Sequence, residues 1–204
     1  MVNDMSEQFV PIDNIYNECI VQDFLQKRTI WINDEVNEIS VTKVIYDLNK
    51  IKRIDDISNI PVKDRQPITI ICNSPGGLCY QGFFLCSVIK SMVKTGYNII
   101  TITGGMSASM SFLIGLCGSS RKCYEYSCFL CHQPSGGMIG EAIKFKRESE
   151  ELERLWNLSK KVIKENSKMT DELLDSIYKE SIDYIIDSET ALELGVVEEI
   201  ITKL

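Results

Sequence analysis

Histidine is almost missing from this chain. His132 is the only one in 204 residues, so any imidazole chemistry has to use that position. A basic surplus is missing too. Lysine and arginine number 22 against 29 aspartates and glutamates, a formal net charge of −7, and phosphate contacts need clustered cations, so no nucleic-acid partner is expected. No uninterrupted apolar run approaches the roughly 18 residues of a membrane helix, so no membrane span is expected. No signal or transit segment is expected at the N-terminus. No phosphate-binding loop, internal repeat or low-complexity tract is found. What is there, 44% apolar and 25% charged residues, suits one globular domain able to bury a core of its own.

The chain has eight cysteines. Cys72, Cys79, Cys86, Cys117, Cys123, Cys128 and Cys131 lie mostly inside apolar runs, where a thiol behaves as a small hydrophobe. Cys128 and Cys131 are three apart on an expected strand, so they point to opposite faces and do not easily share an ion. No metal and no cofactor are expected. Reduced core thiols imply a reducing soluble compartment.

Strand-like and helix-like pieces alternate. Strands are predicted at Arg28–Ile32, Ile68–Cys72, Asn98–Thr103, Lys122–Tyr126, Cys128–His132, Ile182–Ile185 and Val196–Ile201. Helices are predicted at Glu35–Arg53, Leu78–Lys94, Ala108–Leu116 and Glu141–Glu165, after the N-cap Thr170, and at Ser188–Leu194. Asp55–Gln66 reads as a polar loop or insertion, and Gly195 sits where a C-cap glycine belongs. Repeated strand–helix crossovers predict a layered α/β fold with a parallel sheet.

Three serines crowd the stretch from Thr103 to Leu113, at the mouth of an apolar helix. Ser109 at a strand-to-helix turn is the candidate nucleophile, because free amides at such a turn stabilise an oxyanion. Asn73-Ser-Pro-Gly-Gly77 follows another strand, and its glycines let backbone amides approach a carbonyl closely. Asp183 is the candidate partner for His132, with Asp175, Glu180 and Asp187 as competitors. Catalytic triads share geometry rather than spacing, so periodicity does not choose among these acids.

Taken in order, these pieces resemble the proteolytic subunit of the Clp protease, ClpP, and its divergent relatives called ClpR. The matching stretches are Phe9-Val-Pro11, Ile71-Cys-Asn-Ser-Pro-Gly-Gly77, Gly105-Met-Ser-Ala-Ser-Met110, Cys131-His-Gln-Pro-Ser-Gly-Gly137, Ile182-Asp183, and the run from Ser188 to Glu199. The resemblance implies a crotonase-like spiral of strand–helix units forming one domain. Residues 1–27 would be an N-terminal axial segment, 28–134 and 167–204 the head, and 135–166 a projecting handle. It implies Ser109, His132 and Asp183 as the triad, with the Gly76 and Met110 amides as oxyanion hole. It also implies seven-membered rings, homomeric or mixed with other Clp-type subunits. These would stack through Ser135–Gly140 and the Glu141–Glu165 helix, a neighbour covering Leu152, Leu155 and Trp156. A ring-shaped Clp ATPase would feed unfolded polypeptide to the chamber. The compartment it points to is an organelle matrix or stroma, or the cytoplasm if the chain is bacterial.

Some positions depart from the family pattern. Ser109 and His132 are 23 apart (132 − 109), about two fewer than the active family would have, with Cys117–Arg121 as the natural place for the shortening. An ungapped alignment would put Ser107 at the nucleophile position instead. Ser111 replaces a glycine, Ile182 replaces an arginine of ring-to-ring pairing, and the segment from Pro11 to Arg28 lacks a basic pore loop. Two readings follow: an active serine endopeptidase subunit, or a catalytically inactive ClpR-like ring subunit with a structural or regulatory role. An acyl-CoA enzyme of crotonase type shares the layering but needs no Ser–His–Asp set.

Overall fold

β-branched runs alternate with amphipathic stretches along the chain, and the fold follows that alternation. A computed structural model describes residues 24, 26–137, 139 and 141–202. The expected Phe9–Pro11 motif and most of the axial segment lie outside them. In chain order the elements are β1 (Thr29–Ile32), α1 (Glu38–Ile57), β2 (Ile68–Ser74), α2 (Cys79–Lys94), β3 (Ile99–Ala108) and α3 (Met110–Gly115), followed by β4 (Ser120–Tyr124), β5 (Cys128–Cys131), α4 (Ala142–Asn166), α5 (Asp171–Lys179), β6 (Tyr184–Asp187), α6 (Ser188–Glu193) and β7 (Glu199–Ile201).

The α/β layering is as expected. Strands β1, β2, β3, β4 and β7 pair in that order, all parallel. β2 is buried along most of its length, as a parallel strand covered on both faces must be. The sheet then forks. The first half of β3 pairs with β4 (Ile100↔Ser120 to Thr103↔Cys123), and its last residues pair with β5 (Met106↔Cys128 to Ala108↔Leu130). β5 in turn pairs with β6, antiparallel. This makes the sheet mixed rather than wholly parallel. Two helices, α4 and α5, separate β5 from β6, and the chain re-enters the sheet in the opposite sense.

Among the departures from the expected elements, three shape the packing and the site. Strand β3 does not stop at Thr103 but runs on to Ala108. From Thr103↔Cys72 to Ser107↔Ser74 it spends four residues against two on β2, and this bulge absorbs Gly104 and Gly105. Asn73 closes it, its Oδ1 accepting the Met106 amide at 3.1 Å. Helix α1 outlasts Arg53. Its buried stripe, Val41, Val44, Leu48 and Ile51, ends on Asp55, whose carboxylate accepts two hydrogen bonds from the Arg28 guanidinium at 2.7 and 2.8 Å. Asp55 therefore belongs to the core edge, not to a loop.

The third difference concerns α4. Residues Glu141–Arg147 are exposed on every face, whereas Leu155, Trp156, Ser159 and Ile163 turn into the core. Trp156 stacks on Tyr178 of α5 with ring centroids 5.7 Å apart and is 2% exposed. The same chain thus covers Leu155 and Trp156, which the sequence reading had left for a neighbour. Ser135–Gly137 adopt no strand. Thr170 caps α5 and Gly195 ends α6 at φ +65°, both as expected. Among the described residues no helix is long and apolar enough to cross a membrane.

The Arg28–Asp55 pair makes a stability prediction. Removing one partner strands a buried charge, so Asp55→Ala should lower the unfolding free energy by about 3 kcal/mol or more in urea. An Arg28→Met, Asp55→Leu double variant should recover most of that loss. Equal stability of the single and double variants would show that the pair is solvated.

Candidate active site

The C-terminal ends of β2, β3 and β5 lie side by side, and each delivers one part of the site. On β3 the alternation of a strand would put Ser107 and Ser109 on one face, but the chain breaks it. Ser109 has φ 54° and ψ −122°, a region that non-glycine residues rarely adopt, and Met110 begins α3 immediately after it. This is a strained strand-to-helix elbow, with the Ser109 amide fixed to the Leu130 carbonyl of β5 at 2.9 Å. Ser107 has a different fate: it is fully buried, its hydroxyl 3.1 Å from that of Ser111. Of the two candidate serines, only Ser109 stands at the elbow and reaches the surface, half-buried.

His132 follows β5 directly. The antiparallel register of β5 and β6 runs from Cys128↔Asp187 to Cys131↔Tyr184, and one further step sets His132 opposite Asp183. The Asp183 Oδ1 lies 3.5 Å from His132 Nδ1, with the imidazole 26% and the carboxylate 72% exposed. Two of the competing acids are occupied elsewhere. Asp187 caps α6, accepting the Thr190 amide at 2.8 Å, and those backbone hydrogen bonds hold its carboxyl below the usual range. Asp175 pairs with Lys160 at 3.3 Å and Lys179 at 3.7 Å. Glu180 ends α5.

Gly76 closes the site from β2. Its φ is +92°, and a Cβ there would lie 2.6 Å from the Ala108 carbonyl oxygen, 2.6 Å from Ser109 Cβ and 3.0 Å from the Met110 nitrogen. Only glycine permits that approach. The Gly76 carbonyl accepts the Val36 amide at 2.7 Å, and the Leu78 amide donates to the Val36 carbonyl at 2.7 Å. The Gly76 amide donates to Ser74 Oγ at 3.2 Å. The Met110 amide, first in its helix, has no intrahelical acceptor. The two expected oxyanion donors therefore lie near each other beside Ser109.

The structure brings His132 to Asp183 and Gly76 to Ser109 and Met110. It does not join Ser109 Oγ to His132 by a hydrogen bond, although the β3–β5 register places them at neighbouring strand ends. Burial pushes the Cys131 and Cys72 thiols up to about 12, which disfavours their thiolates. All described cysteines are free, and among the described residues no group of three or more His, Cys, Asp or Glu side chains gathers as a metal site. Two contributors escaped the sequence reading, Ser74 and Val36. Ser74 stands inside the Asn73–Gly77 motif, so the motif itself was the signal; Val36 carried none, since it acts through its backbone alone.

Comparison with known proteins agrees over nearly the whole chain. A model of the Clp protease family matches residues 13–204. Over 195 residues the chain is 27% identical to the ATP-dependent Clp protease proteolytic subunit 2 of Bifidobacterium longum (strain NCC 2705), covering 94% of this chain and 85% of that protein. It is also 26% identical over 193 residues to the ATP-dependent Clp protease proteolytic subunit of Porphyromonas gingivalis (strain ATCC BAA-308 / W83), covering 93% and 81% respectively.

The strained elbow can be measured through stability. Glycine adopts the Ser109 backbone conformation without strain and alanine does not, so Ser109→Gly should be more stable than Ser109→Ala by about 1 kcal/mol. Thermal unfolding of the two variants checks this, and alanine equal to or above glycine would mean that the elbow is unstrained.

Proposed function

The chain belongs to the Clp protease family, and on that premise we propose that it is a serine endopeptidase subunit of a Clp-type, ATP-dependent complex that degrades unfolded polypeptide. The observation that carries this reading is the His132–Asp183 pair at the strand end beside the Ser109 elbow.

Ser109 Oγ attacks the peptide carbonyl carbon while a His132 ring nitrogen takes its proton. Asp183, facing Nδ1, holds the imidazole in the tautomer whose Nε2 serves the serine and stabilises the imidazolium that forms. Negative charge gathers on the carbonyl oxygen, where the Gly76 and Met110 amides receive it. The proton then passes from His132 to the leaving amine, and water hydrolyses the acyl-serine with His132 again as base.

Assembly into a heptameric ring is part of the same reading. It is supported by apolar side chains that a lone chain leaves in solvent, among them Ile39 and Tyr46 on α1 and Ile143 and Phe145 in the exposed half of α4. The exposed half of α4 would serve as the handle between stacked rings. Energy from ATP would enter through a ring-shaped ATPase partner, since this chain has no phosphate loop.

A second reading has its own support. Ser109 and His132 share no hydrogen bond, and one oxyanion amide is engaged by Ser74, as suits a ClpR-like ring subunit without catalysis. A serine-reactive fluorophosphonate separates the two. The active reading expects labelling that Ser109→Ala abolishes and Ser107→Ala leaves largely intact. An unlabelled wild-type chain that still forms rings would establish the inactive subunit. Light scattering at micromolar concentration should give an oligomer, and a monomer there would overturn the ring assignment.

A further inference from the structure

We infer that Ser74 is a positioning residue of the oxyanion hole, its hydroxyl holding the Gly76 amide in the resting chain until an oxyanion takes that amide over. The inference rests on the peptidase reading and deepens it. Ser74 is the last residue of β2, 1% exposed, and pairs in register with Ser107. Its Oγ lies 3.2 Å from the Gly76 nitrogen.

The geometry leaves the Gly76 amide few alternatives. The carbonyl of the same residue is tied to Val36, and Ala108, Ser109 and Met110 lie too close to it to admit a Cβ. Ser74 Oγ is the acceptor this amide has among the described residues, and an unpaired amide in so enclosed a place is unfavourable. A hydroxyl is a neutral acceptor, so its hydrogen bond is weaker than the charge-assisted one an oxyanion offers. The tetrahedral intermediate therefore displaces Ser74, whereas a ground-state carbonyl, also neutral, competes on equal terms. Ser74 thus suppresses engagement of the hole before charge develops.

Phosphonylation reads this out. The Ser109 oxygen–phosphorus bond forms and the phosphorus–fluorine bond breaks; fluoride leaves, the serine proton passes to His132, and the phosphonyl oxygen occupies the hole. Ser74→Ala should raise the second-order labelling rate about two- to tenfold, the factor one neutral hydrogen bond is worth, through a lower half-saturating probe concentration. Ser74→Cys keeps the volume with a weak acceptor and should fall between wild type and alanine. A merely structural serine would give loss, not gain. Hydrogen-exchange mass spectrometry of peptides spanning Gly76 should show faster exchange in both variants. Labelling that is unchanged or slower in both variants overturns the inference, as does unchanged exchange at Gly76. If neither wild type nor variant is labelled while exchange quickens, the Ser74 contact stands and the peptidase reading falls.

Discussion

A strand has two edges, and β3 uses one of its edges twice. Along its whole length it keeps β2 on one side, but on the other it exchanges β4 for β5 at the height of Gly104 and Gly105. Almost everything at the candidate site depends on that exchange. Had β4 stayed paired to the end of β3, β5 could not lie beside Ala108, and the Ser109 amide would have no Leu130 carbonyl to meet. His132 would leave the sheet elsewhere. The bulge makes the exchange possible, because extra residues in one strand bend it and free its edge. Asn73 supplies the acceptor that the bulged Met106 amide would otherwise lack.

From that fork the site is assembled by register rather than by sequence proximity. The parallel β3–β5 pairing carries Ser109 to the level of Cys131, and the antiparallel β5–β6 pairing carries Asp183 to the level of His132. Both alignments are backbone facts, fixed by ladders of hydrogen bonds, so the side chains need little further organisation. Against them stand two strained positions, Gly76 and Ser109, packed face to face. Such conformations cost about 1–3 kcal/mol each for residues other than glycine and persist only where the surroundings over-determine them. Here the Val36 clamp on one side and the Leu130 carbonyl on the other do so.

Much of this was legible in the sequence because local chemistry and tertiary structure agree. The caps at Thr170 and Gly195, the helices around Leu78–Lys94 and Glu141–Glu165, and the order of strands all follow from pattern. Misreadings arose where a long-range contact overruled a local signal. Gly104-Gly105 reads as a turn, yet neighbours on both sides hold it in a strand. Asp55 reads as loop because it is charged, and only Arg28, 27 residues away, explains its burial. Trp156 looked like a surface residue awaiting a partner because its cover, Tyr178, comes from a helix further on. The resemblance singled out Asp183 among four acids, and the β5–β6 register, which no spacing rule contains, is what sets it opposite His132.

A decaying site accumulates polar groups without partners. Ser111, where the family has glycine, does not fit that description: its hydroxyl is fully buried but meets Ser107 at 3.1 Å. The shortened stretch between Ser109 and His132 is likewise accommodated, with Gly118 lying where a Cβ would come within 2.7 Å of the Thr101 hydroxyl oxygen, and β5 still ends beside the elbow. The hydrogen bond that Ser109 and His132 lack and the one that Ser74 accepts from the Gly76 amide are both single contacts. Each is a matter of about 1 kcal/mol. Burying a single large apolar side chain at a subunit contact contributes about 1.5–3 kcal/mol, and this chain leaves several exposed. On the proposed ring reading assembly has the larger energy scale, so a neighbour's contacts would bear more on the Ser109–His132 geometry than either single hydrogen bond does.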